Sequence, residues 1–107
     1  MPHIFDAAAI FGPDNIAGGA RASYKSYNAP VVPLMMAYFT SFVRTLDPNT
    51  LRMSGSMEWE GWGADMRRML VETGGASMES TPGEERERCA FWLGLGERLQ
   101  QKRGVVI

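Results

Sequence analysis

Val31-Val32-Pro33-Leu34-Met35-Met36-Ala37-Tyr38-Phe39-Thr40-Ser41-Phe42-Val43-Arg44-Thr45-Leu46 is the stretch that decides the fold. Pro30 stands before it and Asp47-Pro48-Asn49 follows. Proline is tolerated in a first helical turn, and a proline just past the end is a stop signal, so the pattern predicts a helix near 31–46. Met35, Tyr38, Phe39, Phe42, Val43 and Leu46 fall at helical spacing. Leu34, Met36 and Ala37 fill much of the opposite side in the N-terminal half. A helix apolar nearly all round must be buried on nearly all sides. Nothing else in the 107 residues has the composition to surround it.

Outward from that helix, the signals are fewer. Upstream, Pro2 to Phe11 is mostly apolar and Gly12-Pro13-Asp14-Asn15 punctuates it as a turn. Residues 16–28, rich in Gly, Ala and Ser, read as loop with room for short helical turns. Downstream, 51–65 reads as loop and Met66 to Thr73 as a short strand before Gly74-Gly75. A second helix is expected over 82–102, with Thr81 as N-cap, Pro82 at the first helical position and Glu84 completing a capping box. Cys89, Trp92, Leu93, Gly96 and Leu99 then form one stripe, and Gly104 ends the helix. As an isolated chain this is mostly α, with at most one or two short strands near 67–73 and long loops. A lone strand makes no sheet, and loops this long are uncommon in a compact small domain. The chain is therefore expected to be part of something larger.

Composition excludes several functions. Eleven Lys and Arg against twelve Asp and Glu leave a formal charge of −1, with no electrostatic footprint for nucleic acid. Forty-five per cent hydrophobic residues is globular composition, and the longest apolar run falls short of a transmembrane segment. One cysteine, Cys89, and one histidine, His3, rule out an internal disulfide framework, a multi-thiolate zinc site and a two-histidine metal site. The N-terminus carries neither a secretory signal nor an Arg-rich transit peptide.

The remaining polar features have structural readings. Glu84-Glu85-Glu87 suits a helix N-terminus favoured by the dipole better than a catalytic pair. Gly61-x-Gly63 and Gly94-x-Gly96 lack the third glycine of a dinucleotide fingerprint. Cys89 is expected to be a small buried hydrophobe, and the eight methionines mostly core filler. Trp59 and Trp62 are expected to pack against parts of a fold outside the chain.

His3 is the one histidine, the side-chain type suited to acid–base work near neutrality, though a lone histidine at a terminus is usually a surface residue. Its context reads His3-Ile4-Phe5-Asp6-Ala7-Ala8-Ala9-Ile10-Phe11-Gly12-Pro13. This resembles the catalytic-histidine loop of the type-B carboxylesterases, the α/β-hydrolase family that includes lipases and cholinesterases. In that family an acidic residue stands three positions after the histidine and Phe-Gly eight and nine after it, as Asp6 and Phe11-Gly12 do here. Ile4 departs from the glycine of animal members, a position at which fungal-type members vary. Ser23-Tyr24, Asn28 to Pro33 and Ser41 to Asn49 look like the penultimate helix and its stop in fungal members. Glu58-Trp59, Trp62, Leu70 to Thr73, Met78-Glu79 and Arg88 to Trp92 look like the family's C-terminal tail.

The resemblance implies an α/β-hydrolase fragment, with 1–107 as the C-terminal part of a type-B carboxylesterase domain. It implies that His3 is the catalytic histidine of a serine esterase, with an ester substrate bound by the full-length parent and no metal or organic cofactor. In α/β-hydrolases the triad order is Ser, acid, His, so a C-terminal piece holds the histidine alone. No G-x-S-x-G elbow occurs here, and Asp6, which follows the histidine, is read as a structural loop residue and not the triad acid. Alone, the chain is expected not to hydrolyse esters. The alternative is a non-catalytic helical interaction protein derived from a truncated esterase, its apolar helices packed on a partner or on itself. Compartment stays open, since family members are often secreted and any export signal would lie upstream.

Overall fold

The computed structural model describes residues 6–16 and 21–102. Four helices and one hairpin follow in the order α1 (Ala7–Phe11), α2 (Arg21–Tyr24), α3 (Val31–Thr45), β1 (Arg67–Glu72), β2 (Gly75–Ser80) and α4 (Gly83–Lys102). The expected mostly helical chain with long connections is what forms.

α3 starts where Pro30 presets φ at −65°. Pro33 falls within the first turn, where its missing N–H costs no helical hydrogen bond. The helix stops at Leu46, whose φ of 62° is left-handed and whose N–H donates to the Phe42 carbonyl at 2.8 Å. That conformation suits glycine and costs a residue with a Cβ about 1 kcal/mol or more. The Leu46 side chain is 81% exposed, so little packing offsets the strain. Leu46→Gly is therefore expected to stabilise the helix end by roughly 0.5–1 kcal/mol, read as a raised thermal midpoint by circular dichroism.

β1 lies within the 67–73 stretch expected to form strand, and the second strand lies just past it. β1 and β2 pair antiparallel from Arg67↔Ser80 to Glu72↔Gly75, joined by the two residues Thr73 and Gly74. β2 reads Gly75-Ala76-Ser77-Met78-Glu79-Ser80, with little strand propensity. What draws it into register is the short connection together with the facing pairs Met69↔Met78 and Arg68↔Glu79. Gly75 opens the strand at φ +136°, a conformation that any L side chain would strain.

The buried centre is small: Ala8, Ala9, Tyr24 and Val31, with Ile16, Val32, Met35 and Val71 against it. Alanines on α1 let that short helix lie close on α3, and Val71 brings the hairpin to the same centre. A second anchor forms farther along α3. Tyr38, fully buried, donates its hydroxyl to the Met57 carbonyl, and its ring meets the Trp59 ring edge-on at 5.3 Å. Beyond Tyr38 on α3, Ser41, also fully buried, donates Oγ–H to the Asp47 carbonyl (2.6 Å) and accepts the Leu51 N–H (2.8 Å). Asn49 holds the Trp59 backbone from both sides: Nδ2 donates to its carbonyl at 2.9 Å, and Oδ1 accepts its N–H at 2.6 Å. The 46–62 segment, although it has no regular structure, is thus pinned to α3.

Several expectations are corrected here. Cys89 is exposed, not buried, because α4 presents its apolar stripe outward: Phe91, Trp92, Leu93 and Leu99 are exposed too. Of the described methionines none is fully buried, and Met36, Met53 and Met57 are exposed. Thr81 does not cap α4. Its N–H and its hydroxyl both donate to the Met66 carbonyl, at 2.9 and 2.7 Å, closing the base of the hairpin. The helix begins at Gly83, and the Pro82 carbonyl accepts the Arg86 N–H at 3.1 Å. Gly104 lies outside the described residues. α3 has the same open character, with Phe42 and Val43 exposed on its C-terminal half. The radius of gyration is 17.7 Å, against about 13 Å for a compact domain of this length.

Candidate functional site

His3 lies outside the described residues. The structure describes the frame that follows it. The Asp6 carbonyl accepts the Ala9 and Ile10 N–H groups at 3.0 and 3.1 Å, opening α1. Ala8 and Ala9 seat that helix in the buried centre. Gly12 ends it at φ +89°, itself buried, and a Cβ there would come within 3.2 Å of Asn15 Nδ2. Asn15 Nδ2 in turn donates to the Phe11 carbonyl at 2.7 Å. The interval from Asp6 to Phe11-Gly12 therefore has a physical cause: one short helix, opened by the backbone of Asp6 and closed by a position only glycine fills without strain. Asp6 makes no side-chain cap bond, and its contribution is through the backbone and its charge. Burial chiefly, and then the negative charge of Asp6, push the Tyr24 phenol above its ordinary pKa.

Farther along α3, an open aromatic groove of about 740 Å³ separates the helix from the pinned segment. Tyr38, Phe39, Phe42 and Leu46 form the helix side, and Trp59 and Trp62 the other. Trp59 also meets Phe39 at 6.4 Å between ring centroids. The rim carries Asp47, Glu58 and Glu60, the last paired with Arg67 at 2.9 Å. Trp59 and Trp62 were both expected to pack against parts of a fold outside the chain. Instead Trp59 packs on Tyr38 and Phe39, while Trp62 stays exposed. The missed signal was Asp47-x-Asn49, where the Asn49 N–H donates to Asp47 Oδ1 at 2.8 Å and turns the chain back.

Where α4 meets the hairpin, Arg68 grips two carboxylates. Its Nε donates to Glu79 at 2.7 Å, and its two terminal nitrogens to Glu85 at 2.5 and 3.1 Å. The bidentate bond from Arg68 holds the Glu85 carboxyl below its ordinary value. A lowered folded-state value means a contribution present above pH 4.5, the ordinary glutamate value, and lost as pH falls through the folded one. The prediction is that limited proteolysis near Pro82-Gly83 speeds up on acidification below pH 4.5, and that Arg68→Gln removes this pH dependence.

The other sequence features stay structural. Glu84 sits 3.9 Å from Arg88, an exposed pair of little energetic weight. In Ser54-Gly55-Ser56, Ser56 Oγ donates to the Met53 carbonyl at 2.7 Å, within a turn. Among the described residues no three His, Cys, Asp or Glu side chains group as a metal site, and no helix is long and apolar enough to cross a membrane.

Neither family models nor curated proteins gave a match to the chain. Among solved structures, Aspergillus niger EstA is similar at 41% identity over 89% of this chain, with a TM-score of 0.78. The chain matches a segment of a fungal α/β-hydrolase esterase. It spans 18% of the length of EstA.

Proposed function

We propose that this chain is the C-terminal, histidine-bearing part of a type-B carboxylesterase domain, a serine esterase of lipase-like kind, and that His3 is its general base. The observation that carries this is the 41% identity to EstA across 89% of the chain. The sequence interval from His3 to Asp6 and to Phe11-Gly12, which matches the family's spacing, supports it. In the proposed reaction the imidazole of His3 takes the proton of a serine hydroxyl as that oxygen attacks the ester carbonyl. It then gives the proton to the departing alkoxide, leaving an acyl-enzyme. Water, deprotonated by the same imidazole, releases the acid and restores the serine. Serine, orienting carboxylate and oxyanion donors come from the remainder of the domain. The substrate is a carboxylic ester.

The test is a chimaera in which this chain replaces the matched segment of EstA. An activated ester such as a p-nitrophenyl alkanoate should be hydrolysed by the chimaera and left intact by the chain alone. Hydrolysis by the chain alone would overturn the proposal, since no nucleophile elbow is present.

A second reading, a non-catalytic interaction protein, has one observation in its favour: the exposed run Phe91-Trp92-Leu93 on α4. A monodisperse, cooperatively folding complex of the chain alone would favour it.

A further inference from the structure

The general-base role of His3 makes no use of the aromatic groove, whose lining begins at Tyr38 on the far half of α3 from the α1 contact. The chain exposes 7891 Å². A compact protein of this mass exposes about 5,900 Å². The surplus of about 2,000 Å² is on the scale that one partner loses in an obligate interface. Apolar groove-lining residues are among those left open: Phe42, Leu46 and Trp62 are 51%, 81% and 57% exposed. The rim is acidic, with Asp47, Glu58 and Glu60, and among the described residues no Lys or Arg lines the groove.

An occupant must therefore be apolar at its centre and carry Lys or Arg where it passes Asp47 and Glu58. We propose that the groove seats a Lys- or Arg-flanked apolar segment from the remainder of the hydrolase domain, so that this face is the anchor by which the histidine segment is held. This rests on the esterase assignment above. The match to EstA favours that occupant over a second copy, because the segment matched there is 18% of a longer chain. Burying aromatic side chains in such a groove supplies the larger share of the holding energy, and the carboxylates set the register.

Thiol labelling tests it without reading catalysis. Phe42 is 51% exposed, so Phe42→Cys is compatible with the fold. The F42C thiol is reacted with a maleimide in the free chain and in the EstA chimaera, and the rate is followed on the modified peptide by mass spectrometry. Fast labelling in the free chain and at least about tenfold slower labelling in the chimaera is expected. Equal rates in both would overturn the proposal. So would slow labelling already in the free chain accompanied by a dimer mass, which would assign the groove to a second copy. Should F42C spoil the chimaera's folding, Trp62→Cys on the opposite wall gives the same comparison. An inert chimaera with a protected F42C thiol upholds the docking face and sinks the His3 role; an active chimaera with a freely labelled thiol does the reverse.

Discussion

His3→Ala in an EstA chimaera carrying this chain is expected to lower kcat/KM for an activated ester by roughly 10⁴- to 10⁶-fold. The size follows from the two proton transfers assigned to one imidazole. Without it the serine oxygen attacks as a hydroxyl, not as an incipient alkoxide, and the leaving group departs unprotonated. Binding of the ester does not depend on that proton, so the loss belongs in kcat, with KM little changed. Asp6→Asn provides the contrast. Asp6 opens α1 through its backbone carbonyl and makes no side-chain cap bond, so its amide leaves the rate within about a factor of ten. Equal losses at both positions would mean that the segment had merely been misfolded.

The largest stability effect is expected at Ser41. Ser41→Ala removes the fully buried hydroxyl that joins the Asp47 carbonyl to the Leu51 N–H. Asp47 keeps part of its bonding, because Thr45 Oγ1 lies 3.0 Å from the same carbonyl while also donating to the Ser41 carbonyl at 2.7 Å. The Leu51 N–H loses its partner in Ser41 Oγ, which costs about 1–3 kcal/mol. Destabilisation of about 2 kcal/mol is therefore expected, measured as a fall in the urea midpoint of the chimaera. Trp59 fluorescence should shift before the global transition, because the 46–62 segment is what Ser41 ties down. Thr45→Ala, at an exposed side chain, should cost less than half as much.

How much of this could be read in the residues depended on how local each cause was. α3 was legible within one residue, since Pro30 and Asp47-Pro48-Asn49 act on the backbone beside them. Gly12 was legible as part of a motif, and its φ of +89° gives the reason. Thr81 misled for the opposite reason. Its neighbours Pro82 and Glu84 satisfy a capping box by type, but the Met66 carbonyl, fifteen residues back, took both its donors. β2 was illegible because Gly75 to Ser80 has little preference of its own and is held by what faces it on β1. Cys89 shows a further limit. Periodicity finds which side of α4 is apolar, but coverage comes from a partner surface that no spacing within the helix encodes. The groove depended on Asn49 gripping Trp59 ten residues on, a contact between two loop positions.

The most direct measurement is a distance: that between His3 Nε2 and the nucleophilic serine Oγ in a crystal structure of the chimaera. A separation of about 2.6–3.2 Å, with Nδ1 facing a carboxylate from the rest of the domain, is the expected result. A His3 side chain turned to solvent, with another group holding the serine, would contradict the catalytic assignment.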